Sequence, residues 1–359
     1  MNNDLVIEKV IKNVGVIYLN RPEKINALNL EMINKIQEIL ERWESDENIR
    51  VVLFDTLTKK GFCSGGDLKE LYIDYINNDE CKVKNKFFAT EFEMDKYIAS
   101  YKKPVVSHWT GIVMGGGIGL SINSDLIISD ESVIWAMPET SLGFVPDVGV
   151  CSFISTLPQA LGQYVGLTGS SLESSDLVNY GLADLYINSR NYTKLVEKLF
   201  EFSEIYSGKE LIKKLKIEGR KYKLEPRETS VTKSLEKIEK YFSEESVVEI
   251  YKILENNLDE DFARKTYEIL KERSQLMLAV QFEKYFVCKN LSYHETVDLD
   301  LKVLNYSVEI GEMQEGARAK VIDKGSKPNW STKSIEDVNM DEVKKLLGLE
   351  KTYSERKNS

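Results

Sequence analysis

Residues 104–121, "PVVSHWTGIVMGGGIGLS", give the strongest indication of the fold in this sequence. It contains no Asp, Glu, Lys or Arg, and its first part, "PVVSHWTG", predicts a buried strand. The glycines that follow, Gly115 to Gly117 and Gly119, predict a tight turn at the start of a helix, because glycine adopts backbone conformations that other residues avoid. A strand that leads through a glycine turn into a helix is typical of an α/β domain.

The sequence on both sides repeats the order strand, strand, helix. Residues 5–20, "LVIEKVIKNVGVIYLN", predict two strands, and "VVLFD" at 51–55 predicts a buried one. Asn29 predicts the cap of an amphipathic helix between them. "DLIIS" and "SVIWAM" predict two further strands after the glycine turn. The apolar positions of the helix, expected to face inward, are Leu30, Ile33, Ile36, Leu40 and Trp43.

The composition changes at about Asn191. The first 190 residues predict an α/β core, whereas later segments such as "SLEKIEKYF" and "DFARKTYEILKER" predict Lys/Glu-rich amphipathic helices. No heptad pattern is sustained, so helices packed on a core are favoured over a coiled coil. We therefore expect a catalytic core over residues 1–190 and a mainly helical region over 191–359, packed on that core.

Charge, cysteines and the terminal sequence exclude several classes of protein. The chain has 359 residues and a net charge of -10, which argues against a nucleic-acid surface. Four cysteines without C-x-x-C spacing and two histidines suggest neither a zinc site nor a disulfide framework. "MNNDLVIEKV" lacks the features of a targeting peptide, and the glycines and polar residues of 104–124 argue against a membrane span. We expect a cytoplasmic monomer or small homo-oligomer.

Two glycine turns offer backbone N–H groups. "MGGGIGL" follows a strand, and "SGGD" at 64–67 offers the same kind of turn. Neither a G-x-G-x-x-G motif at the triplet nor a P-loop is present, so nucleotide binding is not indicated. If the turns converge, their amides form an oxyanion hole. For each turn taken alone, tight packing remains the alternative.

Residues 137–149, "MPETSLGFVPDVG", place Glu139 and Asp147 in an otherwise apolar segment. Desolvating an ionised carboxylate costs several kcal/mol, which suggests that these two groups are used. In acyl chemistry Glu139 could activate water or attack a carbonyl, while Asp147 orients groups or transfers protons. Two alternatives stay open: Glu139 could be a solvated turn residue, and Asp147 could cap the helix predicted at "VGVCSFISTL".

A different nucleophile is conceivable at "GFCSG", residues 61–65. This stretch fits a G-x-C-x-G elbow, with Cys63 as the thiol nucleophile and His294 as a distant base. An elbow of that kind normally follows several sheet strands, whereas few precede Cys63. The carboxylates are therefore the favoured catalytic groups.

Four motifs together resemble the successive signatures of the enoyl-CoA hydratase/isomerase (crotonase) superfamily: "NRPEKINALN", "KGFCSGGDLKEL", "GIVMGGGIGLS" and "MPETSLGFVPDVG". The last of these, with "EGARAKVIDKGSKPNW" at 315–330, resembles the 3-hydroxyisobutyryl-CoA hydrolase family within it. The resemblance runs in order from about Val6 to Trp330. It implies a crotonase-like α/β spiral of strand-strand-helix units with a C-terminal helical region, and an acyl-CoA thioester as the substrate.

The resemblance also implies roles for particular residues. The amides of Gly66 and Gly116 would bind the thioester oxygen, and Glu139 and Asp147 would be the catalytic pair in contact with the substrate. Glu91, in "FFATEFEMDKY", matches a third substrate-contacting carboxylate. Neither a separate cofactor nor a metal is implied, because coenzyme A is part of the substrate.

The implied reaction is hydrolysis of 3-hydroxyisobutyryl-CoA to the free acid and CoA, as in valine breakdown. A hydratase or isomerase on the same scaffold is the first alternative, and a non-catalytic, ribosome-associated protein is the second. The hydratases that the chain resembles carry their second carboxylate just after the glycine triplet, where this chain has Gly119. That difference favours hydrolysis.

Overall fold

The computed structural model describes residues 4–77 and 86–357. These residues form two compact units, each assembled from three segments of the chain. Unit 1 comprises the described residues within Met1–Asp67, Ala89–Trp135 and Leu172–Thr232. Unit 2 comprises the described residues within Leu68–Phe88, Ala136–Ser171 and Lys233–Ser359.

The strands of the described residues are β1 (Val6–Ile11), β2 (Val14–Leu19), β3 (Val51–Thr56), β4 (Gly61–Cys63), β5 (Val105–Trp109), β6 (Ile112–Met114), β7 (Leu126–Asp130), β8 (Ile134–Ala136) and β9 (Leu185–Ile187). The α-helices up to residue 219 are α1 (Leu30–Ser45), α2 (Leu68–Asn77), α3 (Lys86–Ala99), α4 (Gly116–Gly119), α5 (Cys151–Ile154), α6 (Gln159–Thr168), α7 (Ser174–Asn179), α8 (Ser189–Ile205) and α9 (Gly208–Gly219). Those that follow are α10 (Leu235–Phe242), α11 (Val247–Glu255), α12 (Asp261–Lys271), α13 (Gln275–Cys288), α14 (Tyr293–Glu309), α15 (Glu312–Ala317), α16 (Met340–Leu347) and α17 (Tyr353–Lys357).

Short helices of other kinds connect these elements. They are the 3-10 helices Pro22–Lys24, Glu139–Leu142, Arg220–Tyr222, Thr232–Ser234 and Ile335–Asp337, and the π-helix Arg318–Ile322.

Unit 1 is built on a six-stranded sheet with the order β1-β2-β3-β5-β7-β9. β1 pairs with β2 in antiparallel fashion, and every later pairing in this sheet is parallel. Parallel strands are buried on both faces, which explains why β3 and β5 read as nearly continuous apolar runs. The predicted helix after Asn29 is confirmed as α1, and of its five predicted inward positions all but Leu30 are buried.

The predicted order of strand, strand and helix is confirmed along unit 1. The first strand of each of the pairs β3/β4, β5/β6 and β7/β8 lies in the six-stranded sheet. The second strand lies in a separate sheet with the order β4-β6-β8. The glycine-rich segment after β5 therefore holds the short strand β6 as well as the predicted turn, since Gly115 caps α4.

The two units are not divided at residue 190, where the sequence predicts a boundary. α8 and α9, which lie within 189–219, belong to unit 1 and cover its sheet. Their apolar side chains pack on β2, β3, β5 and β7, because one face of that sheet is apolar and must be shielded from water. The residues of this cluster include Val16, Leu53, Val106, Ile128, Leu195, Leu199, Leu211 and Leu215.

Unit 2 is mainly helical and is organised around α13. This helix is buried on nearly all sides, and α6 and α16 pack against it. The Tyr285 hydroxyl donates to the Leu157 carbonyl at 2.7 Å, which fixes α13 against the segment between α5 and α6. A helix that is apolar all round is typical of the centre of a helical domain.

No helix among residues 4–77 and 86–357 is long and apolar enough to cross a membrane. The uncharged stretch 104–124 forms β5, β6 and α4 instead. Cys63, Cys151 and Cys288 are buried free thiols, and Cys81 lies outside the described residues.

Candidate active site

Glu139 begins a short 3-10 helix, Glu139–Leu142, directly after β8 and Pro138. Its side chain is 4% exposed, and among the described residues its Oε2 atom has no hydrogen-bond partner. The next residue is fixed from two sides: the Thr140 hydroxyl donates to the Leu167 carbonyl at 3.0 Å, and the Ser274 amide donates to the Thr140 carbonyl at 3.2 Å. The interpretation of Glu139 as a solvated turn residue is therefore wrong.

Asp147 is 5% exposed and lies in a strained turn. The two residues after it have positive φ, +50° at Val148 and +72° at Gly149. A β-branched residue such as valine rarely adopts that conformation, so contacts in the surroundings must hold the turn. α5 begins only at Cys151, with Val150 at its N-cap position and no side-chain cap. The alternative interpretation of Asp147 as a helix cap is therefore wrong.

The two carboxyl groups influence each other within unit 2. Burial raises the pKa of Glu139 well above its usual range, and the nearby Asp147 raises it further, while Lys284 and Arg273 oppose the change. Burial also raises the pKa of Asp147 to about 8, with Asp300 adding to the effect and Lys284 opposing it. Groups coupled in this way titrate as a pair, so near neutral pH the pair can hold a proton. One carboxyl can then act as an acid while the other acts as a base.

In unit 1 the two glycine turns converge, as the sequence predicted they could. A Cβ placed on Gly65 would lie 3.6 Å from the amide nitrogen of Gly116, because β4 and β6 run side by side and parallel. Gly65 and Gly115 have φ of +98° and +48°, which directs the chain sharply away from each strand. Within the described residues, no hydrogen bond occupies the N–H of Gly66 or of Gly116. Both amides are thus available to an oxygen atom.

Glu91 lies on α3 beside the second turn. Its side chain is buried, and a Cβ on Gly116 would collide with its carboxylate oxygen. The absence of a side chain at Gly116 is therefore required for Glu91 to approach the turn. The structure thus brings Gly66, Gly116 and Glu91 into unit 1, and it brings Glu139 and Asp147 together in unit 2.

Cys63 does not have the properties of a nucleophile. Burial raises the pKa of its thiol to about 12, so that the thiolate is scarce at neutral pH. The thiol donates to the Asn26 carbonyl at 3.1 Å, and its Cβ packs against Gly117. Cys63 packs between the two turns, and the thiol alternative is disfavoured.

Sequence reasoning missed three charged residues that act on the carboxyl pair: Arg273, Lys284 and Asp300. Lys284 and Asp300 form a fully buried ion pair, and the Lys284 ammonium donates to the Pro146 carbonyl at 2.5 Å. A signal exists in "QLMLAVQFEKYFVC", because this helical stretch has no continuous polar face and so predicts that its lysine is buried. A buried lysine requires an anionic partner, but the sequence does not indicate which one.

We expect Asp147 to lower the stability of the fold as the pH rises. Its pKa in the folded protein, about 8, lies above the ordinary aspartate value, so its contribution is fully present below pH 4 and is lost between pH 4 and pH 8. Wild type should therefore lose about 1 kcal/mol of unfolding free energy per pH unit in that window relative to Asp147→Asn. Urea unfolding at pH 5 and pH 7 measures the difference. Glu38→Gln, on an exposed side chain, is the control. Equal losses in wild type and Asp147→Asn would contradict this account.

Three comparisons identify relatives of the chain. A profile of the family described as Enoyl-CoA hydratase/isomerase matches residues 14–347. The chain is 32% identical over 335 residues to the mitochondrial 3-hydroxyisobutyryl-CoA hydrolase of Xenopus laevis, covering 92% of this chain and 85% of that protein. It is 31% identical to 3-hydroxyisobutyryl-CoA hydrolase 1 of Arabidopsis thaliana, with coverages of 93% and 88%.

Two solved structures are similar to the chain over nearly its whole length. An enoyl-CoA hydratase from Rhodobacter sphaeroides is 28% identical, with a TM-score of 0.85 and coverages of 97% of this chain and 98% of that one. A carnitinyl-CoA dehydratase from Mycobacterium thermoresistibile is 26% identical, with a TM-score of 0.85 and 96% of both chains covered. The predicted crotonase-like fold is confirmed, and the chain belongs to the enoyl-CoA hydratase/isomerase family.

Proposed function

We propose that the protein hydrolyses 3-hydroxyisobutyryl-CoA to 3-hydroxyisobutyrate and CoA, as in valine catabolism. The observation that carries the proposal is the buried pair of carboxyls, Glu139 and Asp147, whose pKa values are both raised. The names of the relatives from Xenopus laevis and Arabidopsis thaliana support the choice of substrate.

The carboxyl pair can supply both proton transfers that hydrolysis requires. In the ionised form, one carboxylate either removes a proton from the attacking water or attacks the thioester carbonyl itself. The C–S bond then breaks, and a protonated carboxyl gives its proton to the departing CoA sulfur. Where a carboxylate is the nucleophile, water next hydrolyses the acyl–enzyme anhydride that has formed, which releases the acid and regenerates the carboxylate. Water is consumed, and one free acid and one thiol are formed. No oxidant, metal or separate cofactor takes part in this proposal.

For unit 1 we propose a role in stabilising charge. The amides of Gly66 and Gly116 would form an oxyanion hole for the thioester oxygen, which becomes negative as the carbonyl is attacked. Their convergence and the lack of other hydrogen bonds on these N–H groups in the described residues support this role. Glu91, next to Gly116, would contact the substrate.

For the compartment we propose the cytoplasm, where thiols stay reduced. Three buried free thiols, Cys63, Cys151 and Cys288, are compatible with such conditions. Expression of a tagged full chain followed by fractionation tests this placement.

We expect thiol release from 3-hydroxyisobutyryl-CoA to depend on both carboxyls. Glu139→Gln and Asp147→Asn should each lower kcat by about 10² to 10⁴-fold, because each change removes a proton-transfer or nucleophilic group. The assay is release of CoA with a thiol reagent, and circular dichroism checks the fold. Cys63→Ala is the matched control and should keep its activity. A folded, inactive Cys63→Ala variant would restore the thiol nucleophile, and full activity in either carboxyl variant would remove the assigned role.

We expect Gly116→Ala to lower kcat by about 10² to 10³-fold, the usual effect of losing one oxyanion donor. Its added Cβ would collide with the carboxylate of Glu91 and displace the amide. Gly181→Ala is a control with open space around the Cβ, although its φ of +74° makes some loss of stability expected. The measurement is kcat at saturating substrate. Equal kcat values for Gly116→Ala and wild type would show that the second turn does not act on the thioester.

We expect little hydration of crotonyl-CoA. The hydratases that the chain resembles use a second carboxylate just after the glycine triplet, and here Gly119, the last residue of α4, offers no side chain. The water activated by the pair should therefore add to the thioester carbonyl rather than to a distant alkene. The loss of enoyl absorbance and the release of thiol are measured in parallel. Efficient hydration without thiol release from any hydroxyacyl ester would establish the hydratase alternative.

A further inference from the structure

A fully buried ion pair brackets the turn that carries Asp147. Lys284 on α13 and Asp300 on α14 are both 0% exposed and form a salt bridge. The Lys284 ammonium donates to the carbonyl of Pro146 at 2.5 Å, one residue before Asp147. The Asp300 carboxylate accepts the amide N–H of Gly149 at 2.8 Å, two residues after it. The pair is thus bonded to the backbone on both sides of Asp147.

Such a pair is a costly way to stabilise a fold. The desolvation of a buried lysine and a buried aspartate can exceed their mutual attraction, and well-packed apolar residues of similar volume often stabilise a protein as well or better. The role of the ion pair is therefore indicated by the groups to which it forms hydrogen bonds. Both of its backbone bonds go to the segment Pro146–Gly149, where Val148 has a φ of +50°.

Further contacts act on the residues that follow Pro146, among them a hydrogen bond from the Val150 amide to the Asp147 carbonyl at 3.0 Å. The Tyr293 hydroxyl donates to the Val148 carbonyl at 3.1 Å, and the ring of Tyr293 lies against Gly149. These contacts hold the residues after Asp147, but they leave the Pro146 carbonyl to Lys284. Without the ion pair, the strained turn could relax toward ordinary φ values and move the carboxyl.

We propose that Lys284 and Asp300 are positioning residues: as one buried ion pair they hold the backbone on both sides of Asp147 and so fix its carboxyl for the reaction. This inference rests on the proposed hydrolysis, which it extends by two residues outside the expected catalytic set. A displacement of about 1 Å in a reacting group can cost about 10²-fold in rate, which sets the size of the expected effect.

The charges around Asp147 provide a readout that packing alone would not change. Asp300 raises the pKa of Asp147 and Lys284 lowers it. Burial alone would lower the pKa of Lys284, but the Asp300 carboxylate overcomes that effect and keeps the ammonium charged. Within the described residues, the titratable groups that bear on the carboxyl pair or on the ion pair, apart from these four groups themselves, are Arg273, Cys151, Cys288 and Tyr293.

Two variants separate the effect of the Asp300 charge from that of the hydrogen bonds between the ion pair and the backbone beside Asp147. Asp300→Asn keeps an oxygen that can accept the Gly149 amide but removes the negative charge. Because Asp300 raises the pKa of Asp147, the part of the pH dependence of kcat that reports the titration of Asp147 should shift to lower pH by about 1 unit. The double variant Lys284→Met/Asp300→Leu removes both charges of the pair, so neither is left buried without its partner, and it is expected to fold. Its kcat should fall about 10²-fold with KM within about threefold.

The control is Asp55→Asn in unit 1, which removes the negative charge from a buried contact between Asp55 and His108 at 3.0 Å. It should lose stability but keep the pH profile of wild type. The inference is overturned if the folded double variant keeps the kcat of wild type. It is also overturned if kcat of Asp300→Asn depends on pH in the same way as kcat of wild type.

Failure of the proposed function is a separate outcome. If wild type releases no thiol from 3-hydroxyisobutyryl-CoA, the hydrolase assignment fails, and the inference is then tested without activity. Carboxyl-labelled aspartate allows the carbon of Asp147 to be titrated by NMR, with its signal assigned by its loss in Asp147→Asn. A lower pKa of Asp147 in Asp300→Asn than in wild type supports the inference, and an unchanged pKa overturns it.

Discussion

The desolvation of Glu139 and Asp147 is the constraint on which unit 2 depends. Each carboxyl is about 95% buried, and an ionised carboxylate without partners in such a place costs several kcal/mol. The protein offsets this cost in two ways. Both groups hold protons to higher pH than usual, and the charge of Lys284 favours the ionised form of each, with Arg273 adding to this effect at Glu139. The buried central helix α13 therefore carries a lysine.

The same constraint explains why the turns around the pair are strained. Val148 and Gly149 at positive φ turn the backbone beside Asp147, and Gly143 at φ +83° closes the turn after Glu139, where a Cβ would collide with the Glu312 carbonyl. The positive φ of Val148 costs energy that contacts in dense surroundings must offset, whereas the glycines adopt such a φ readily. The helices of unit 2 thus serve the site as much as the stability of the unit, since they supply the ion pair, the packing and the hydrogen bonds.

Local patterns in the sequence predicted the elements of unit 1 well. α1 follows from its apolar spacing and from Asn29, whose side chain accepts the Met32 amide, and both signals lie within a few residues of each other. The family motifs predicted which site residues to consider, and the buried state of Glu139 and Asp147 follows from their apolar neighbours. From the sequence, the convergence of the two glycine turns could be stated only as a condition, because it depends on the pairing of β4 with β6.

Long-range partners could not be predicted. Lys284 contacts Pro146 across 138 residues, and Asp300 contacts Gly149 across 151, so no local pattern links them. The predicted boundary at residue 190 differs from the observed units for a related reason. α8 and α9 have the composition of the later helices, but their apolar faces cover the sheet of unit 1. The composition of a helix does not indicate where the helix packs. Its place in the fold depends on which apolar surface would otherwise be exposed to water.

A pair of raised pKa values also suits the leaving group of thioester hydrolysis. A thiol of the cysteine type has a pKa of about 8.5, and burial raises the pKa of Asp147 to about 8. Proton transfer between groups of similar pKa needs little free energy, so the departing sulfur can be protonated without a strong acid. An ordinary exposed carboxyl, with a pKa near 4, would hold almost no proton at neutral pH. The burial that weakens the fold at neutral pH is therefore the same property that gives the carboxyl a proton to donate.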